Sequence, residues 1–259
     1  MSKKISDSLK KDIESVYRDS KFENPDFQKS MLGTLGGGNH FIEIDKDKSG
    51  KYYLIIHTGS RNFGKQIAQQ HEYIARQQNH YFIKGLSYLT GDEAKKYIEN
   101  MQIAQNYAVN NRRIIADEIL YRMGWKEQAS FESVHNYIST DGMIRKGAIS
   151  AKNNERLLIP LNMRDGVILA TGKGNKEWNC TAPHGAGRKY ARSEAKKILS
   201  YEDFLKSMQK VYTTSIKPST LDEAPDAYKP AEQIIDYIHD TAEIQEVLTP
   251  VYNYKDNGK

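Results

Sequence analysis

The sequence predicts a mixed α/β (α+β) fold, and two observations carry that reading. Apolar residues recur at helical steps through residues 91–123, and four short apolar runs separated by turns follow between residues 131 and 172. With 259 residues and 38% hydrophobic side chains, the chain is long enough to close a sizeable core around such elements.

The elements follow in order. Ile5, Leu9, Ile13 and Val16 share one face of a polar, charged segment, which predicts a solvated helix followed by a turn at Asn24-Pro25. The glycine cluster of LGTLGGGNHFIEID feeds an alternating run from His40 to Ile44, a strand. KYYLIIHTGSR reads as a second strand that ends in a polar turn. From Asn62 to about Tyr81 the period turns helical, with Ile67, His71, Ile74 and Ala75 on one face.

In the long helix, Tyr97, Met101, Ala104, Ala108, Ile115 and Ile119 form the expected apolar face, Asp92 the N-cap and Gly124 the stop. FESVHNYIS, MIRKGAISA, RLLIPLNM and GVILATG read as strands of a sheet, and the basic RKYARSEAKKIL as a helix start. Residues 213–231, rich in Pro, Ser, Thr and Asp, read as a long loop. A helix near 231–247 and a short run, LTPVYNYK, then close the chain.

Composition narrows the function classes. One cysteine excludes an internal disulfide and an all-thiolate zinc site. Mean hydropathy is −0.73, and no apolar run approaches the roughly 18 residues of a membrane span. The first twenty residues lack the apolar centre of a signal peptide. The expectation is a soluble protein of the cytoplasm, a reducing compartment, with no membrane partner. A net charge of +5 is compatible with a local basic groove and equally with an ordinary solvated surface.

Four histidine turns stand out: Asn39-His40, His57-Thr58-Gly59-Ser60-Arg61, His135-Asn136 and His184-Gly185-Ala186-Gly187-Arg188. Neutral imidazole binds metals and attacks phosphorus, and strand ends and glycine turns are where a rigid scaffold presents such groups. None of these histidines is spaced as a helical His-x-x-x-His pair, so a metal site has to assemble from distant segments. For each taken singly, a hydrogen-bonded structural role competes. The glycine clusters let backbone amides approach phosphates, although plain turn chemistry explains them too, and none matches a P-loop or a dinucleotide fingerprint. Arg61, Arg164 and Arg188 suit a polyanion, with surface salt bridges as their competing use. A buried, inert thiol is the expected role of Cys180.

Five ordered blocks, LGTLGGGNHFIEI, HTGSRNFG, VHNYIS with IRKGAISA, IPLNMRDG and GKGNKEWNCTAPHGAGR, resemble the RtcB family of RNA ligases, as do LDEAPDAYK and the terminal PVYNYK. The resemblance begins near Leu32. It implies an N-terminal extension over residues 1–31 and a ligase catalytic domain over residues 32–259. It further implies a GTP- and Mn²⁺-dependent enzyme that joins an RNA 3′-phosphate or 2′,3′-cyclic phosphate to a 5′-hydroxyl. His184 would be the guanylylated nucleophile, and His40, His57 and His135 would bind the two manganese ions. Guanylate contacts would map to Asn39, His40, Phe41, Ile42 and Glu43, to His135 and Asn136, to Pro160, Leu161, Asn162 and Met163, to His184, Gly185, Ala186 and Gly187, and to Lys255.

Two departures qualify the likeness. Family members carry, ahead of the GGGNHF block, an Asp-x-x-Gly-Cys-Gly type motif whose aspartate and bridging cysteine complete both metal sites. The 35 residues before Gly36 contain no cysteine, and Cys180 stands in a different block. The alternative expectation is therefore a truncated or split member that binds nucleotide or RNA, or complements a second chain supplying that segment, and is inactive alone. Where the family often has a guanine-contacting serine, this chain has Val167, which cannot make that hydrogen bond.

Overall fold

A computed structural model describes residues 5–20, 22, 24–78, 85–139 and 141–256. The described residues within 1–36 and 57–127 form one compact unit, and those within 37–56 and 128–259 form another.

The first unit is helical: α1 (Asp7–Arg18), α2 (Pro25–Ser30), α3 (Phe63–Gln78) and α4 (Gly91–Met123). Ser6 caps α1 through its side chain, and the face predicted for this segment is buried at Leu9, Ile13 and Val16. Asn24 adopts a left-handed conformation and caps α2, with Pro25 at its first turn, where a missing N–H costs nothing. Leu9, Ile13, Val16, Leu32, Phe63, Ile67, Ala104 and Tyr107 form the core. Each large apolar side chain buried there contributes about 1.5–3 kcal/mol.

Two expectations for the long helix are corrected. Thr90, not Asp92, is the N-cap, and Asp92 sits in the first turn, where a carboxylate favours the positive end of the helix dipole. The buried stripe is Asn100, Ala104, Tyr107, Asn111 and Ile115. Its two asparagines satisfy buried polar groups, so apolar spacing alone misplaces the face by a fraction of a turn. Gly124 ends the helix in a left-handed C-cap, as predicted. The part of the α3 expectation beyond Gln78 lies outside the described residues.

The second unit is built on mainly antiparallel sheet. Its strands are β1 (Phe41–Lys46), β2 (Tyr52–His57), β3 (His135–Ile138), β4 (Ile144–Ser150), β5 (Arg156–Asn162), β6 (Gly166–Gly172), β7 (Thr181–Pro183), β8 (Tyr212–Thr213) and β9 (Ala242–Tyr254). Helices α5 (Arg192–Ile198), α6 (Tyr201–Ser207) and α7 (Ala231–Tyr237) complete it. The main sheet runs β2-β1-β9-β6-β5 with β8 beside β9, and β3-β4-β7 form a second sheet, so the four strands expected in one sheet divide between two. Ile149, Leu157, Ile159, Leu161 and Ile168 share a core with Ala182, Ala186, Ile234 and Ile238, which lies against both sheets and α7.

The main correction concerns the last third of the chain. The helix expected near residues 231–247 stops at Tyr237, and residues 242–254 form a 13-residue strand. The first half of β9 pairs with β6 and the second half with β1. Ile244, Val247, Thr249, Val251, Tyr252 and Tyr254 supply the β-branched and aromatic side chains that favour a ladder over a helix. Pro250 lies opposite Asp45 at a register shift, which accommodates a residue with no N–H to donate. The segment expected as a long loop contains two 3-10 turns, Pro218–Glu223 and Pro225–Ala227, and is buried at Thr220, Leu221, Asp222, Glu223, Pro225 and Ala227.

Candidate active site

His184 follows β7 and is half-buried. Its Nδ1 lies 2.6 Å from the carbonyl oxygen of Gly147 on β4. A carbonyl only accepts, so Nδ1 carries the proton, and the lone pair of neutral His184 resides on Nε2. Gly147 has φ +67°, a left-handed conformation that helps aim this carbonyl and that favours glycine.

His135 stacks on His184, with ring centroids 4.9 Å apart and an interplanar angle of 27°. Asn136 joins the pair to the strand. The Gly147 N–H donates to Asn136 Oδ1 at 2.8 Å, which fixes the amide orientation, and Asn136 Nδ2 then donates to His135 Nδ1 at 2.8 Å.

The loop after His184 is tied down on both sides. Ala186 N–H donates to Pro160 O at 2.9 Å, and a Cβ on Gly185 would stand 3.0 Å from that same oxygen. Lys229 N–H donates to Gly187 O at 3.1 Å, and Lys189 N–H to Ala227 O at 2.8 Å. The HGAGR block therefore lies between the end of β5 and the segment LDEAPDAYK.

Lys255, buried just after β9, donates to Glu223 Oε2 at 2.8 Å and sits 5.5 Å from the Phe41 ring centre. Asn253 Nδ2 donates to Glu43 in a short hydrogen bond. Burial and the neighbouring Asp45 push the Glu43 carboxyl well above its ordinary range, against the pull of Asn253 and Lys255. Burial raises Asp45 to about 7. Glu223 moves the other way: burial pushes it up, but the Lys255 ammonium, the Tyr228 hydroxyl and Arg192 outweigh that and hold it below its ordinary value.

The second unit thus links several expected residues by direct contacts: Asn136 with His135, His135 with His184, Pro160 with Ala186, and Phe41 with Lys255. Others take different positions. Leu161, Met163 and Ala186 are core side chains, closed off from solvent. Asn162 Oδ1 accepts from the Arg164 and Asp165 amides, and its Nδ2 donates to Asp165, which commits it to the β5–β6 turn. Asn39 is exposed, His40 is half-buried just before β1, and Ile42 pairs with Tyr254. His57 is half-buried at the end of β2 and belongs to the helical unit. Cys180 is half-exposed, with its thiol 3.4 Å from Gly174 O, and so is less buried than expected. Val167 is fully buried beside Phe41, Ile55 and Leu248.

The arginines expected to meet a polyanion have internal partners. Arg61 reaches Thr34 and Leu35, Arg164 pairs with Asp165, and Arg188 with Glu223 and the Asp222 carbonyl. Glu223 and Tyr228 were absent from the sequence-level site. Only their place in the LDEAPDAYK block pointed to them.

The donors do not fit a closed centre for the implied manganese. Among the described residues, no three of His, Cys, Asp and Glu gather as metal ligands. A metal-bound histidine ordinarily donates its second ring N–H, whereas His135 accepts at Nδ1 from Asn136. Among the described residues, no helix is long and apolar enough to cross a membrane.

A family model described as tRNA-splicing ligase RtcB matches residues 8–256. The RNA-splicing ligase RtcB of Escherichia coli (strain K12) is 29% identical over 250 residues, which cover 85% of this chain and 60% of that protein. RNA-splicing ligase RtcB2 of Escherichia coli is 28% identical over 257 residues, 89% of this chain and 66% of that protein. The tRNA-splicing ligase RtcB of Nanoarchaeum equitans is 26% identical over 269 residues, 82% of this chain and 56% of that protein. The chain spans about 60% of the length of the Escherichia coli RtcB it matches.

Proposed function

The chain belongs to the tRNA-splicing ligase RtcB family, and from that premise we propose that it carries the guanylyl-transfer site of an RNA ligase, with GTP as co-substrate and His184 as nucleophile. The observation that carries this reading is the contact between His184 Nδ1 and Gly147 O, which leaves the nucleophilic lone pair on Nε2.

In the first step Nε2 attacks the α-phosphorus of GTP. A P–N bond forms, the bond to the β-phosphate oxygen breaks, and pyrophosphate leaves with the electron pair. In the second, an oxygen of the RNA 3′-phosphate attacks the same phosphorus, and the P–N bond breaks to restore His184. In the third, the RNA 5′-hydroxyl attacks the activated 3′-phosphorus, GMP departs, and the hydroxyl proton is lost to solvent. Phosphoryl transfer of this kind needs positioning and charge neutralisation more than covalent help. Gly147 and the stacked His135 ring hold the nucleophile in place. Lys255 supplies positive charge beside Phe41 on the guanylate side.

Manganese is the ion implied by the family resemblance, and no step above is routed through it. The same donor shortfall favours a second reading, in which the chain binds nucleotide and RNA while a second chain completes ligation. Intact-mass and peptide mass spectrometry after incubation with GTP and Mn²⁺ tests both. A gain of one guanylyl group on His184 supports the first reading. Nucleotide binding without an adduct supports the second.

A further inference from the structure

The block LDEAPDAYK has no part in the steps above, yet it carries the most densely paired carboxylate of the second unit. Glu223 is 3% exposed. Its Oε1 accepts from Arg192 at 2.5 Å and faces Arg188 at 3.4 Å. Its Oε2 accepts from Tyr228 Oη at 2.7 Å and from Lys255 Nζ at 2.8 Å. Arg188 also donates to the Asp222 carbonyl at 2.5 Å, and the Asp222 carboxylate pairs with Arg192 at 2.9 Å and Lys196 at 3.3 Å.

Two features set this cluster apart from a plain internal salt bridge. First, its members come from separate parts of the guanylate site. Arg188 is four residues after His184, and Lys255 follows β9 and lies against Phe41. Second, four cations (Arg188, Arg192, Lys196 and Lys255) face two carboxylates, Asp222 and Glu223. The surplus of two positive charges suits a phosphate-bearing ligand.

We propose that Glu223 is a positioning residue for the guanine nucleotide, holding the Lys255 ammonium and the Arg188 end of the HGAGR loop in register with each other. The proposal rests on the reading of this site as a guanylate site. A buried, doubly shared carboxylate limits both side chains to one geometry, so the cost of ordering them is met in folding and not on binding. Glu223 itself touches neither nucleotide nor reacting atoms.

The test uses the full chain and three variants, Glu223→Gln, Glu223→Asp and Lys255→Ala, each checked by thermal melting. In acetylation of amines followed by peptide mass spectrometry, buried Lys255 is protected in the wild type. Glu223→Gln raises its labelling at least tenfold, while exposed Lys206 is unchanged. With GTP and Mn²⁺, Glu223→Gln raises KM for GTP about tenfold and leaves the maximal rate of adduct formation within about threefold. Glu223→Asp falls between. The double variant Glu223→Gln/Lys255→Ala is no worse than Lys255→Ala, because both remove one interaction. Additive losses, or an unchanged KM with Lys255 still protected, overturn the proposal. If Glu223→Gln does not fold, an unchanged KM in Glu223→Asp overturns it equally. If the wild type forms no adduct, equilibrium binding of GMP is measured with the same variants. Coupled losses there keep the proposal and defeat only guanylyl transfer, whereas no GMP binding by the folded wild type overturns both.

Discussion

His184 Nδ1 and the carbonyl oxygen of Gly147 stand 2.6 Å apart, and this one contact decides which nitrogen of the histidine is nucleophilic. His184→Ala is expected to abolish the adduct while lowering stability by less than about 1 kcal/mol, because the side chain is half-buried and outside the core. Gly147→Ala is the subtler probe. Its Cβ would meet the His184 ring at 3.7–3.8 Å, an ordinary contact, so space is not the obstacle. The left-handed φ is, and relaxing it turns the carbonyl away. The initial rate of adduct formation in this variant should drop several-fold with an unchanged final yield. An unchanged initial rate removes the role given to that carbonyl.

Asn111 holds the helical unit together through backbone groups. It is fully buried. Its Oδ1 accepts from Gly33 N at 2.7 Å and Thr34 N at 3.2 Å, and its Nδ2 donates to Thr34 O at 3.1 Å and Gly59 O at 3.2 Å. Asn111→Leu keeps the approximate volume and strands these groups, at about 1–3 kcal/mol for each one that finds no other partner. Urea denaturation should register a loss of about 3 kcal/mol or more. A loss below about 1 kcal/mol means that water or backbone movement satisfies them instead.

Asp45 makes stability depend on pH. It is fully buried, and burial raises its pKa from 3.8 to about 7. A raised folded-state pKa means that stability is fully present below about pH 4 and is lost as pH rises towards 7, because the carboxyl then ionises in the unfolded chain before it ionises in the fold. Asp45→Asn should flatten this slope and be more stable than the wild type at pH 8, by roughly 2–4 kcal/mol. Parallel stability–pH curves for the two proteins count against a buried neutral Asp45.

Two glycines with similar dihedral angles should respond differently to alanine. At Gly166, φ is +76° and a Cβ would stand 2.0 Å from Leu248 O, which forces β6 away from β9. At Gly50, φ is +86° with nothing within 4 Å. Gly50→Ala should cost about 1–2 kcal/mol, the backbone strain alone, and Gly166→Ala more than about 3 kcal/mol. Thermal melts of the two variants check the ordering.

Much of the molecule was legible in the sequence. α1, α3 and α4 each bury one face, and β1, β2, β5 and β6 are short apolar runs bounded by turns, so local periodicity finds them. The ordered blocks also placed His135, His184 and Lys255 among the candidate residues. The tertiary structure decided the rest. Residues 242–254 become a strand because β1 and β6 are both there to pair with, information that no local window contains. Asn100 and Asn111 join a buried face because partners distant in sequence meet them there, the His71 ring for Asn100 and the backbone of Gly33, Thr34 and Gly59 for Asn111. The proton sits on His184 Nδ1 because a carbonyl 37 residues earlier in the chain faces it. Glu223 is held as a buried charge because Arg188, Arg192, Tyr228 and Lys255 converge on it. Periodicity records which side of an element avoids water. Long-range hydrogen bonds and charge pairs depend on which elements meet, and folding alone supplies that.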